Sequence, residues 1–309
     1  MKIDVSVIMS VKDDHKDYLN KSIESILNQT FKNFEFIIIA DGSNNKTISK
    51  LQKYSSSDNR IKLYKQVNIG LTKSLNKGLY LANSNYILRQ DYDDISEPNR
   101  IEKLFSFLKK HKDIAVCASN YFKIDATGKK IFKFSIPNPS RTLKNFNYYN
   151  PIIHPSVMLR KNIILELNGY NESYRLSQDY ELWSRVNKKF KIYYLNLKLY
   201  NLRVHKESIS FKNNYIQRKN SVIISMKSKF FNSNIDFDKV KSFKTDDLIV
   251  FFKKKDIKIQ NYLNSRLFTI MYDDIKITKF FSYNFSTMLL ILIYYFNRPK
   301  YFLYRIGYR

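Results

Sequence analysis

Three carboxylates crowd into four positions at Asp91, Asp93 and Asp94, interrupted only by Tyr92. Like charges this close repel one another, and a shared divalent cation is the usual way to hold them. In an extended segment, alternation puts Asp91 and Asp93 on one side. A Mg²⁺ or Mn²⁺ held there by one or two carboxylates keeps positions open for phosphate oxygens. The bland alternative is a solvated turn capping the helix that starts near Pro98. A second acidic group lies in Gln178-Asp179-Tyr180-Glu181-Leu182-Trp183. A carboxylate there suits a general base, which must come within hydrogen-bond reach of a nucleophilic hydroxyl. The same acids equally suit the positive end of a helix. Asp41, in Asp41-Gly42-Ser43, either accepts from a nucleoside or makes an ordinary turn after a strand. His154 and His205 are the two histidines whose surroundings admit a ligand role; His15 and His111 sit in polar contexts.

These residues need a scaffold, and the pattern around them supplies one. Val5 to Met9 and Phe34 to Ala40 are short apolar runs of the kind buried in parallel sheets. Tyr18 to Leu27, Ile48 to Tyr54 and Leu71 to Ala82 carry helical spacing between shorter strand-like runs at Ile61 to Tyr64 and Tyr86 to Leu88. A helix from Pro98-Asn99-Arg100 to about Lys110 and a strand over Ile114 to Ala118 come next. Asp125-Ala126-Thr127-Gly128 predicts a hairpin turn between Tyr121–Ile124 and Lys130–Phe132, and Pro137-Asn138-Pro139 a loop. Ser177 to Val186 is helix-like, Ile192 to Val204 is strand-like, and the pattern turns helical and basic beyond Ser210. Strands alternating with helices over short connections predict an α/β fold with a mostly parallel, doubly wound sheet. In such sheets ligands gather beyond the carboxyl ends of the strands, where Ser10, Asp41 and Asp91 to Asp94 fall.

Composition narrows the partners. The chain has 309 residues, 44% of them hydrophobic, with 54 Lys+Arg against 27 Asp+Glu and a formal net charge of +27. Such a field favours polyanions. Zinc-ligand pairs and aromatic RNA-binding strands are missing, so nucleic acid is disfavoured against an anionic membrane surface. From Trp183 to Phe230 basic residues recur and Glu207 is the only acid. Cys117 is the single cysteine, and in its apolar run it is expected to be a buried structural residue. The first apolar run breaks too early for a signal peptide and no run reaches membrane-spanning length, which points to a cytoplasmic catalytic part.

In order along the chain these pieces resemble family 2 glycosyltransferases of the GT-A fold. The resemblance is carried by Val5–Ser10, Ser22–Thr30, Ile37–Ser43, Asn68–Gly78 and the DxD-type Asp91-Tyr92-Asp93 running into Asp94–Ile101. His154-Pro155-Ser156, Gln178-Asp179 with Trp183, and Arg203-Val204-His205 complete it. It covers about residues 4 to 210. It implies a GT-A catalytic domain over 1–210, with a donor-binding half to about 100 and an acceptor-side half beyond, and a helical, basic region over 211–309. It also implies a metal-dependent, inverting transfer from a nucleotide sugar, UDP-linked by preference, to a glycan or lipid-linked glycan of the cell surface. Ser10, Asp41 and Lys73 would contact the nucleoside and Asp91 the ribose or the metal shell. Asp93 and His205 would hold Mn²⁺ or Mg²⁺, and Asp179 would be the general base. Ala40 stands where many relatives have a second Asp, and Gln178 where many have Glu. An inactive nucleotide-sugar-binding or polyanion-binding module is the competing class.

No motif is recognised from about residue 211 onward. Phe280 to Phe296 is apolar and aromatic, and Arg298, Lys300, Arg305 and Arg309 lie beyond it. That composition suits an interfacial anchor on an anionic leaflet, placing the protein peripherally on the inner face of the cytoplasmic membrane.

Overall fold

Val5–Val11 (β1) and Phe34–Asp41 (β2) are nearly unbroken apolar runs because both faces of these strands are covered. In the computed structural model, which describes residues 2–135, 146, 149–230, 235–242, 259 and 262, they pair in parallel at the centre of the first unit. One face, made by Val5, Val7, Met9 and Val11 with Phe34, Phe36, Ile38 and Ala40, packs against Leu19, Ile23 and Ile26 of Tyr18–Leu27 (α1). Leu51 of Asn45–Ser57 (α2) joins the same cluster. The opposite face receives Leu71–Leu81 (α3). Gly78 allows that approach, since a Cβ there would lie 2.6 Å from Ile8 Cγ2.

Ile61–Gln66 (β3) extends the sheet beside β2, and Tyr86–Arg89 (β4) pairs in parallel with β1 on the other side. Ile95–Ser96 (β5), Arg100–Lys110 (α4), Ile114–Ile124 (β6) and Lys130–Phe134 (β7) come next. After a 3₁₀ turn at His154–Ser156 come Val157–Arg160 (β8), Lys161–Glu166 (α5), Gln178–Lys189 (α6) and Lys191–Arg203 (β9). The described strands form one nine-stranded sheet in the order β3-β2-β1-β4-β8-β6-β9-β5, with β7 paired to β6. β8 is antiparallel to both β4 and β6, so β1, β2, β3, β4, β6 and β9 all run the same way. The sheet is therefore mostly parallel and flanked by helices. The expected hairpin forms around Asp125, whose carboxylate collects the amides of Thr127, Gly128 and Lys129. Cys117 is fully buried in β6, and burial pushes its thiol up, as a structural cysteine requires.

Three elements differ from the sequence pattern. The strand expected over Ile114 to Ala118 continues unbroken to Ile124 as one arm of the hairpin. The four-residue β8 was not expected and is inserted between β4 and β6, where it runs against their direction. The two-residue β5 is too short to leave a period. The loop expected at Pro137–Pro139 lies outside the described residues.

Residues 1–146 and 150–212 form one compact unit, ending in Ile209–Lys212 (α7), and residues 147–149 with 213–309 form another. In the second, Asn214–Lys229 (α8) and Phe237–Ser242 (α9) share a core of Val222, Ile223, Met226, Phe237 and Val240 with Ile259 and Tyr262. Among the described residues no helix is long and apolar enough to cross a membrane. The apolar segment from Phe280 lies outside them.

Arg100, at the start of α4, ties this sheet together and is fully buried. Its guanidinium donates to Gln90 Oε1 at 2.9 Å, Ser96 Oγ at 2.8 Å, Arg89 O at 2.8 Å and Pro155 O, and lies 4.5 Å above the Tyr200 ring. Arg100→Met keeps the bulk but removes four hydrogen bonds from buried acceptors. Of these, Gln90 Oε1 keeps its bond from Ser96 Oγ, and a buried acceptor left unpaired costs about 1–3 kcal/mol. A loss of about 3 kcal/mol or more is expected in denaturant unfolding, against about 0.5 kcal/mol or less for the exposed Lys103→Met on the same helix.

Candidate active site

The strand order brings the carboxyl ends of β1, β2 and β4 to one edge, and the site is built from the residues just beyond each strand. After β4 the chain does not stay extended. Gln90, fully buried, folds it back by donating from Nε2 to Asp91 O at 3.0 Å and Asp94 O at 3.1 Å. Its Oε1 accepts from Ser96 and Arg100, so the turn is fastened to α4. The alternation expected for Asp91 and Asp93 therefore does not apply, because a turn sends each carboxylate its own way.

Asp91 pairs with the guanidinium of Arg89, which is 2% exposed. Asp94 is buried and receives the Arg203 backbone N–H on Oδ1 at 2.6 Å and the Tyr200 hydroxyl on Oδ2 at 2.9 Å. Burial, with the neighbouring Asp93 charge, holds the Asp94 carboxyl well above the usual carboxylate range. Asp93 meets His205: Oδ2 lies 2.7 Å from Nε2, with both side chains mostly shielded. The His205 ring rests against Tyr18, and its Nδ1 is buried with no hydrogen-bond partner among the described residues. Arg203 braces this corner, donating to Asp93 O at 2.7 Å and to the hairpin carbonyls of Asp125 and Ala126. Among the described residues no group of three or more His, Cys, Asp or Glu is placed to hold a metal. Asp93 and His205 stand as a facing carboxylate–imidazole pair.

At the end of β2, Asp41 is 4% exposed and works as a clamp. Oδ1 accepts from Gln66 Nε2 at 2.9 Å and Ile69 N at 2.8 Å, and Oδ2 from Gly70 N at 2.9 Å. These bonds hold the loop just before α3, whose N-cap residue is Gly70. Gly42, at φ +69°, sits where a Cβ would come 2.6 Å from Asn68 Cβ, which keeps the two loops closely apposed. Ser10 is half-buried near the end of β1, and Lys73 is exposed on the first turn of α3.

Asp179 stands on the first turn of α6, after Ser177 at φ +62°. Burial raises its carboxyl to about 6, and the Asp91 charge acts in the same direction. Asn150 Nδ2 donates to Asp179 Oδ2 at 2.8 Å. Glu181, the other acid of this turn, is fixed by Arg185, which also reaches Leu167 O and Gly169 O. His154 bonds through Nε2 to the Tyr170 hydroxyl at 2.8 Å and packs edge-on to Trp183. Burial, reinforced by Arg89, pushes its pKa well down, so it is a neutral structural imidazole.

Of the residues anticipated from sequence, Asp93 and His205 touch, and Asp91 and Asp179 share one field. Asp41 is committed to its loop, and His154 to Tyr170. Sequence reasoning placed Arg203 in the Arg203-Val204-His205 motif without a role, and missed Arg89, Gln90, Tyr200 and Asn150. An arginine ending a buried strand just before an acidic turn was the available signal for Arg89.

The family model described as Glycosyl transferase family 2 matches residues 6–167. The O-antigen biosynthesis glycosyltransferase WbnJ of Escherichia coli is 37% identical over 209 residues, covering 66% of this chain and 81% of WbnJ. An uncharacterized glycosyltransferase of Methanocaldococcus jannaschii is 38% identical over 185 residues, 59% of this chain; that match spans 63% of the archaeal protein's length. In fold the chain is similar to Staphylococcus aureus TarS 1-349, solved in complex with UDP-GlcNAc, at a TM-score of 0.59 and 15% identity, covering 87% of this chain and 81% of that one. It is also similar to the mannosyltransferase PcManGT of Pyrobaculum calidifontis, solved with GDP-Man and Mn²⁺, at a TM-score of 0.58 and 11% identity, covering 95% and 79%. The architecture is that of GT-A transferases, and a family model spanning more than half of its residues places the chain in glycosyl transferase family 2.

Proposed function

We propose that this glycosyltransferase inverts the anomeric centre as it moves a sugar from a nucleotide donor, UDP-linked by preference, to a glycan or lipid-linked glycan in cell-surface polysaccharide biosynthesis. Residues 1–210 would carry the chemistry, and the basic region over 211–309 would rest on an anionic membrane surface at the inner face of the cytoplasmic membrane. The carrying observation is the Asp93–His205 contact at the carboxyl edge of the sheet, within the charge field that also reaches Asp179.

The fit to a divalent cation rests on that pair. A carboxylate oxygen and an imidazole nitrogen 2.7 Å apart offer adjacent ligand atoms; the carboxylate suits Mg²⁺ and Mn²⁺ alike, and the imidazole favours the transition metal. Two protein ligands would leave room for the donor's phosphate groups. Held by Asp93 and His205, a divalent cation would supply electrostatic stabilisation to the departing diphosphate. Arg89 balances Asp91 so that this carboxylate can lie near a ribose hydroxyl without adding net repulsion toward the donor. Asp41 orients the loop Gln66–Gly70 on the nucleoside side, with Ser10 and Lys73 at the same edge. Asp179 takes the proton from the acceptor hydroxyl, whose oxygen attacks the anomeric carbon opposite the nucleoside diphosphate. The bond to the diphosphate breaks and its electron pair leaves with the phosphate oxygen. A carboxyl raised to about 6 is ionised at neutral pH and still basic enough to accept that proton. The O-antigen role of WbnJ supports the polysaccharide setting, and the UDP-GlcNAc bound by TarS supports the donor class.

Donor hydrolysis by the purified full chain across UDP-, GDP- and dTDP-sugars, with Mn²⁺ or EDTA, should release one nucleotide in a metal-dependent way. Asp93→Ala and His205→Ala should abolish the metal response; release untouched by EDTA and by both substitutions contradicts the assignment. Asp179→Asn gives a second test through stability. The group's folded pKa, about 6, lies above the ordinary 3.8, so its favourable contribution is present below 3.8 and lost as pH rises through 6. The Asn variant should thus match the native chain near pH 4 and exceed it by about 1–2 kcal/mol near pH 8, while turnover drops about 10²–10⁴-fold. Equal stability at both pH values would show that the carboxylate is not held at a cost.

A further inference from the structure

Asn150 lies on the segment leading into the 3₁₀ turn His154–Ser156. Its amide is fixed at both ends. Nδ2 donates to Asp179 Oδ2 at 2.8 Å, and Oδ1 accepts from Ile152 N at 3.1 Å. A flipped amide would turn its oxygen against the carboxylate and its NH₂ against the Ile152 N–H, so the orientation is determined by both partners. Ile152 is 2% exposed, which anchors the loop in the packed interior. On the other side, Asp179 meets only the amides of its own helical turn besides Asn150, and its Oδ1 has no side-chain donor among the described residues.

We propose that Asn150 is a positioning residue for the general base: by holding Oδ2 it fixes the plane of the Asp179 carboxylate and leaves Oδ1 to meet the acceptor hydroxyl. This rests on Asp179 being the base. The other groups that face it are Asp91 and Tyr170, with Arg89 and His154 behind them. Arg89 offsets Asp91, and His154 is neutral, so the Asn150 amide is the one side-chain donor that favours the ionised carboxylate.

The test is a ¹³C NMR titration of carboxyl-labelled aspartate in the full chain, with the Asp179 signal identified by its loss in Asp179→Asn. In the native chain the Asn150 side-chain amide should respond with the same midpoint as Asp179; an amide that ignores this titration overturns the proposal. Asn150→Ala should raise the midpoint by about one unit. Asn150→Asp keeps an acceptor for Ile152 N–H and places a like charge beside Asp179, so it should raise the midpoint further and carries the test if the alanine variant does not fold. Unchanged midpoints overturn the proposal. With UDP-GlcNAc hydrolysis in Mn²⁺, or the donor that replaces it in the panel, Asn150→Ala should lower kcat about tenfold and move the acid limb upward, leaving the donor KM in place. A lowered kcat with the acid limb unmoved means a merely structural role and also overturns it. A shifted titration with Asp179→Asn as active as the native chain would instead remove Asp179 from the base role while leaving the hydrogen bond in place.

Discussion

Three carboxylates cannot share one short turn unless each finds its own counterweight, and this constraint organises the catalytic unit. Asp91 is balanced by Arg89 from the strand that precedes it. Asp94 is buried against Tyr200 and the Arg203 amide, and Asp93 is left facing His205. Tyr200, Arg203 and His205 all come from β9 or the residues just after it, so the turn after β4 is completed by a strand about a hundred residues later in the chain. The β8 insertion and the long β6–β9 pairing are what bring that strand to the right edge. Arg100 and Gln90 then lock the turn to α4 from beneath.

Asp41 and His154 also carry bonds within the scaffold. Asp41 uses both oxygens to hold the loop before α3 through Gln66, Ile69 and Gly70. His154 is kept neutral under Tyr170 and Trp183. What remains polarised toward the edge is the Asp93–His205 pair and, across the field of Asp91, a carboxyl at Asp179 raised by burial. A group held at a cost in the folded chain is a recurrent mark of a functional site.

Much of this was legible in the sequence because apolar period tracks burial. β1, β2, α1, α3 and α4 appear in the pattern nearly to their observed ends, since each buries a regular face, α3 on one side of the sheet and α1 with α4 on the other. β8 left a weaker mark: four residues, Val157–Arg160, come directly after His154-Pro155-Ser156 and end in a buried arginine that staples α4 through Leu108 O. The order of acidic motifs indicated which residues matter, yet it did not say which carboxylates would be neutralised internally. That depends on contacts such as Asp94–Tyr200, whose partners lie far apart in the chain and leave no period. Asn150 was invisible for the same reason, because its role comes from facing Asp179.

The most direct measurement of the central claim is the position of manganese in crystals of the full chain grown with UDP and Mn²⁺, read from anomalous scattering. The account predicts a peak bonded to Asp93 Oδ2 and His205 Nε2 and to oxygens of the diphosphate, with Asp94 still bonded to Tyr200. UDP bound with the Asp93–His205 contact intact and manganese elsewhere, or coordinated by Asp91 and Asp94 instead, would contradict it.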